Sequence, residues 1–237
     1  MSKEAIRVAT GLRLGANLCV PHTCRCGAPV TARGSHGLSC MRSAGRQQRH
    51  AMINDIIHRS LGRVNIVAVK EPTLAGSNLR PDGATLIPWS SGKCLTWDAT
   101  TPDTLAASHL PSTSNTIGAA AIHASVLKNQ KYITLNSTFI FVAIAIETFG
   151  PWNVERLSFV RELGRRISQV TGDPRGPEKP LTCCRGYLKQ CNWAMLLHLL
   201  ARCQQEKMLI SGTPLKWKPL EILYYFILLR EWQTINR

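Results

Sequence analysis

The run Phe139 to Ile146, FIFVAIAI, contains no polar side chain and is rich in β-branched residues. A strand with one wet face alternates apolar and polar side chains. A run without alternation needs cover on both faces, so it predicts a central strand with helices packed on either side. Gly150-Pro151 breaks the chain shortly after the run. The neighbouring segments supply the cover. Ile117 to Tyr132 is Ala-rich and predicts a helix, with Lys128 and Lys131 near its carboxyl end, where cations meet the negative pole of the helix dipole. Val154 to Val170 sets Leu157, Val160, Leu163, Ile167 and Val170 on one face and Arg161, Arg165 and Arg166 on the other, with Asn153 placed to cap it.

Upstream, Ser43 to Leu61 reads as a helix, because Met52, Ile53, Ile56, Ile57 and Leu61 share a face from which Arg46, Arg49 and Arg59 are absent. Strand signals follow over Val64 to Val69, Ala84 to Pro88 and Cys94 to Asp98. The last two form a hairpin across Ser90-Ser91-Gly92, giving three antiparallel strands. The fold class is therefore α/β, a mixed sheet flanked by helices. Residues 11 to 42, rich in Gly, Cys, His and Pro, read as a loop-built module that needs a metal staple. Residues 173 to 185 read as a linker, and Leu188 to Gln204 and Leu220 to Trp232 as two further helices. The 237 residues thus divide into a basic module over 1–42, a core over 43–175 and a divergent helical tail over 176–237.

Two aspartates interrupt the hairpin's apolar surroundings: Asp82 in Arg80-Pro81-Asp82, and Asp98 in Trp97-Asp98-Ala99-Thr100. An acid buried beside Leu86, Ile87, Leu95 and Trp97 is costly unless its charge is compensated. A divalent cation shared between facing strands compensates it most economically. A metal-dependent nuclease is the first expectation. Acids that close strand ends through salt bridges or turns are the alternative.

The formal net charge of +15 points to a polyanionic partner, DNA or RNA. Residues 1–60 hold only Glu4 and Asp55 as acids against Lys3, Arg7, Arg13, Arg25, Arg33, Arg42, Arg46, Arg49 and Arg59, which makes the amino-terminal end the expected docking face. The nine cysteines are odd in number and unevenly spread, unlike a secreted disulfide framework. Met1 to Thr10 is no signal peptide, and no stretch reaches the ~20 apolar residues of a membrane span. A nuclear or cytoplasmic protein, not secreted and not in a membrane, is the expectation. Cys24-Arg25-Cys26-Gly27 followed by His36-Gly37-Leu38-Ser39-Cys40 offers a donor set for structural Zn²⁺, with Cys19 and His22 near enough to substitute.

Read in order, these motifs resemble one family: Leu12-Arg13-Leu14-Gly15, the Cys/His cluster, Gly45-Arg46, Arg49-His50, Asn54-Asp55, Lys70-Glu71-Pro72, Arg80-Pro81-Asp82-Gly83, Trp97-Asp98, Lys128 with Lys131-Tyr132, and Glu147 to Pro151. It is the restriction-like endonuclease region, preceded by a zinc knuckle, of the reverse transcriptase polyproteins of animal non-LTR retrotransposons. The resemblance covers roughly residues 6 to 175. It implies a PD-(D/E)XK-type fold that nicks target DNA to prime reverse transcription.

On that resemblance Asp82 and Asp98 would hold catalytic Mg²⁺, and Lys128 and Lys131 would stand in for the superfamily's lysine two residues after the second acid, a place Thr100 occupies here. Glu71 is a candidate third acid. Arg46, Arg49 and His50 are candidates for phosphate contact, with helix-surface solvation as the alternative. Glu147 also matches, or closes its strand end against Arg165 or Arg166. Beyond Arg175 the resemblance stops, so the expectation is a fragment or relic of such an element: a DNA endonuclease, or a catalytically inactive nucleic-acid-binding protein derived from one.

Overall fold

A computed structural model of the chain describes residues 3–74 and 78–172. The expected tail over 176–237, with its two helices, lies outside the described residues. One sheet organises the rest, in the order β3 (Ala68–Lys70), β4 (Gly83–Ser90), β5 (Lys93–Thr100) and β6 (Phe139–Ala145). The first three strands run antiparallel, and β6 joins β5 in parallel. The β4–β5 hairpin turns on Ser91 and Gly92 at φ 49° and 72°, the left-handed pair whose twist matches the flanking strands. Three helices cover the sheet: α3 (Ala44–Gly62), α5 (Ala119–Lys131) and α6 (Val154–Thr171). Smaller pieces are α1 (Lys3–Leu14), the paired β1 (His22–Thr23) and β2 (Pro29–Val30), α2 (His36–Ser39) and α4 (Leu110–Thr113). The chain is thus mixed α/β, with a four-stranded mixed sheet flanked by helices. No helix among the described residues is long and apolar enough to cross a membrane.

The apolar run is β6, and its side chains serve both layers as its pattern demands. Ile140, Val142, Ile144 and Ile146 join Leu95 and Trp97 with Ile53, Ile57 and Leu61 of α3 and Phe159, Val160, Leu163 and Ile167 of α6. On the other side Phe139 and Phe141 pack with Tyr132 and Leu135. The strand is not central, however; it stands at the sheet's edge. Asn153 makes that position tolerable. Its Oδ1 accepts from the Ala145 amide at 3.1 Å and its Nδ2 donates to the Ala143 carbonyl at 3.0 Å, so one side-chain amide replaces the missing neighbour. Asn153 precedes α6 as expected, but with its amide so engaged it makes no side-chain cap.

Two other expectations change. The strand expected from Val64 begins at Ala68, because α3 ends in a tight turn first. The Val64 and Ile66 amides both donate to the Leu61 carbonyl at 3.0 Å, with Asn65 left-handed at φ 58°. Val64 and Ile66 are buried, but as the closing of a helix rather than as a strand. Leu86 and Ile87 do not surround the acids; they are exposed on the outer face of β4. Trp97 supplies the apolar wall instead. It is fully buried, and a Cβ at position 83 would collide with its ring, which requires glycine directly after Asp82.

The amino-terminal module packs onto the core. Leu12 and Leu38 form a small cluster with Leu105 and Phe149, and the Arg13 guanidinium lies 5.1 Å from the Phe149 ring centroid.

Candidate functional site

Two groups of polar side chains stand out, one of which could hold a metal ion. In the first, the β1–β2 hairpin carries Cys24 and Cys26, closed by Cys24 N donating to Ala28 O at 2.9 Å and Gly27 N donating to Cys24 O at 2.8 Å. Gly27 sits at φ 89°, a conformation that favours glycine. The short α2 then presents His36 and, one residue past its end, Cys40. The four ligand atoms lie within 4.8 Å of one another. Cys24 Sγ is 3.8 Å from Cys40 Sγ, and Cys26 Sγ is 3.2 Å from His36 Nε2. Two ~2.3 Å zinc–sulfur bonds at the tetrahedral angle put sulfurs about 3.8 Å apart, so the donor set fits a tetrahedral metal such as zinc. The Ala28 backbone hydrogen bond leads the influences that draw the Cys26 thiol down to about 6; burial opposes it, and Cys24, Cys40 and His36 assist. A thiol there is ionised at neutral pH, which is the ligating form. Burial pushes Cys24 up. Cys19 and His22 do not join the cluster: the Cys19 thiol donates to the Thr31 carbonyl at 3.4 Å, and His22 Nδ1 lies 2.9 Å from the Val20 carbonyl.

The second cluster sits at the open end of the β4–β5 pair. Gly83 pairs with Trp97, and continuing that register sets Asp82 opposite Asp98. Like charges facing across strands repel, so each carboxylate requires its own compensation. Asp82 Oδ2 accepts from the Ala99 amide at 2.6 Å and meets His50 Nε2, from α3, at 2.8 Å. Asp98 is 3% exposed. Its Oδ2 accepts from the Tyr132 hydroxyl at 2.5 Å, and its Oδ1 faces Lys128 Nζ at 2.5 Å. That second contact is a close ion pair with the buried carboxylate. Lys131 Nζ donates to the Tyr132 hydroxyl at 3.1 Å. The structure therefore brings Asp82, Asp98, Lys128, Lys131 and His50 into one neighbourhood.

The electrostatics follow from the contacts. The Asp82 hydrogen bond raises the His50 imidazole above its ordinary value, against the opposing effect of burial, and the Asp82 and Asp98 charges add to it. For Asp82, burial is the largest single influence and pushes the carboxyl up. The His50 and Ala99 hydrogen bonds and the His50 charge together outweigh it, and the net shift is downward. Burial and then the Asp98 hydrogen bond push Tyr132 up, so it stays a phenol that donates.

Tyr132 and Asn54 are the participants that sequence reasoning left without a role. Asn54 Oδ1 accepts from the Trp97 indole at 3.0 Å, and its Nδ2 lies 3.5 Å from His50 Nδ1. Tyr132 adjoins Lys131 in sequence, but only the fold shows that its hydroxyl reaches across to β5.

Other candidates lie elsewhere. Arg46 is exposed on α3, open to solvent and to phosphate alike. Arg49 is 4% exposed, and its Nη2 donates to the Leu38 carbonyl at 2.7 Å, which turns it inward from a phosphate-contacting surface. Glu71 is exposed; its backbone amide, at φ 48°, donates to the Asp82 carbonyl at 2.9 Å. Glu147 meets neither Arg165 nor Arg166, which pair with Glu162. It is 1% exposed and holds the amino terminus of α5, accepting from the Ala120 and Ala121 amides at 2.9 and 3.2 Å and from the Thr104 hydroxyl at 3.0 Å. The helix dipole favours a carboxylate there.

No family model matches the chain, and no curated protein matches it.

Proposed function

We propose that the chain is a metal-dependent DNA endonuclease of restriction-like fold, with a structural zinc cluster, related to the target-nicking module of a non-LTR retroelement. One observation carries this reading: two aspartates set opposite each other at a strand end, with Lys128 against the more buried one. Opposed carboxylates are costly to a fold that has no use for them. The donor set suits a hard divalent ion, since it offers carboxylate oxygens from two facing residues.

When bound, Mg²⁺ would be held by Asp82 and Asp98 and would supply Lewis-acid stabilisation of the phosphate and an acidified water. The chain's own residues do the rest. Lys128 and Lys131, three residues apart on α5, present cations where negative charge grows on the phosphate during cleavage. Tyr132 orients the Asp98 carboxylate, and His50 orients that of Asp82. Exposed Arg13, Arg25, Arg33, Arg42 and Arg46 make the amino-terminal surface cationic enough to hold a polyanion. The test is conversion of supercoiled plasmid to nicked circles with and without Mg²⁺. Nicking only with the metal is expected; no nicking under any divalent ion removes the enzyme reading.

A binding protein without catalysis is the second reading, and a specific observation favours it. Each carboxylate already has a partner from the chain, Asp82 in His50 and Asp98 in the Lys128 ammonium, so the pair is held without a metal. Metal-independent DNA binding with no cleavage would establish it.

A further inference from the structure

Between the two clusters runs a short mechanical path. His36 and Cys40, two of the four candidate metal ligands, stand at the start and just past the end of α2, which is only four residues long. A helix of that length does not hold itself together in water. Its shape is set by what pins its ends, and here those are ligands. Leu38 lies between them, 1% exposed, and its side chain packs against Leu12, Leu105 and Phe149. Its carbonyl takes the Arg49 guanidinium at 2.7 Å. Arg49 is in α3, with His50 the next residue, about 100° further round the helix and bonded to Asp82. Beyond it Ile53, Ile57 and Leu61 seat the rest of α3 on the sheet. The start of α3 is thus tied through Arg49 to the segment that carries His36 and Cys40, and from Ile53 onward the helix is seated on the core.

We propose that Arg49 is a positioning residue that ties the Cys/His cluster to the acidic site: with the cluster closed, the Leu38 carbonyl stays in place, Arg49 grips it, and His50 is held against Asp82. The inference rests on the nuclease reading for its consequence, although the brace itself is a matter of structure. It makes the knuckle part of the catalytic apparatus, where the sequence alone makes it a structural zinc site.

Amide hydrogen exchange on the full chain tests it, comparing zinc-loaded protein, zinc-stripped protein, and zinc-loaded Arg49→Met and Arg49→Lys. Loss of one charge-assisted hydrogen bond should speed exchange about ten- to a hundredfold. That acceleration is expected over residues 46–52 in both the stripped protein and Arg49→Met, with residues 53–62 unchanged, zinc content in Arg49→Met unchanged, and partial recovery in Arg49→Lys. Where plasmid is nicked, Arg49→Met should lower kcat and leave KM for DNA unaltered. Unchanged exchange over 46–52 in the stripped protein overturns the brace, as does equal acceleration over 53–62. If Arg49→Met fails to fold, the stripped wild type decides alone. A chain that never nicks DNA sinks the nuclease reading and leaves the exchange result standing, so the two failures can be told apart.

Discussion

The Cys/His cluster and the acidic pair meet the cost of crowded polar side chains in opposite ways. Cys24, Cys26, His36 and Cys40 face one another with no counter-ion among them, and the hairpin and helix that carry them are too short to persist unaided. Asp82 and Asp98 stand at the end of a hairpin locked into the main core, with the His50 imidazole on one and the Lys128 ammonium on the other. The first arrangement is one that a metal would pin. The second exists without one, so an ion entering it competes with His50 and Lys128. The two differ less in ligand type than in how firmly the surrounding fold holds their side chains.

The largest effect that can break this contrast is loss of a thiolate. Cys40→Ala should abolish zinc binding, falling from about one equivalent to none by metal analysis, and should unfold the 19–40 segment, as metal-dependent modules do. The β4–β5 hairpin should persist in two-dimensional NMR spectra. Retention of zinc would place the metal on other ligands. Next comes Asp98→Asn, which removes a candidate metal-holding charge; nicking should fall roughly 10²–10³-fold, the scale of losing one stabilising group in a preorganised site. Tyr132→Phe leaves Asp98 without its hydroxyl donor and should destabilise the fold by about 1–3 kcal/mol in chemical denaturation. A loss near zero would show that Lys128 alone satisfies the carboxylate.

The smallest effect is pH-linked and lies far from both clusters. Hydrogen bonds from Arg165, and behind them those from Arg166, outweigh burial and hold Glu162 down to about 2. A depressed carboxyl contributes stability fully above its unfolded value near 4.5, and that contribution is lost as pH falls toward 2. The pair is partly exposed, so the loss should be under about 1 kcal/mol, and Glu162→Gln should remove the dependence in denaturation profiles between pH 5 and 2.

Much of the molecule is readable from its sequence where one local force dominates. The hairpin turn at Ser91-Gly92, the helix over Ala44–Gly62 and the Cys/His donor set each reflect short-range chemistry: left-handed φ, apolar periodicity and ligand spacing. The misses share a different cause. β6 looks central because periodicity reports that both faces are covered, and it cannot report which strands lie beside it; Asn153, not a strand, closes that edge. Arg49 looks solvent-facing when the helix is read against one partner, whereas α3 also packs on the knuckle. Glu147 looks like a partner for arginine until the fold brings the start of α5 to it. Tyr132 has no legible role in the sequence because its acceptor lies 34 residues away in the chain.

The most direct measurement sets DNA affinity beside cleavage for the wild type and Asp82→Asn. The substitution keeps the side chain's shape and an oxygen for the Ala99 amide, and removes only the charge that faces His50 and would face a metal. Nicking should fall at least a hundredfold while the Kd for DNA stays equal or tightens, since repulsion of the phosphates is reduced. Loss of binding and cleavage together would make Asp82 a folding residue and contradict its placement in a nuclease site.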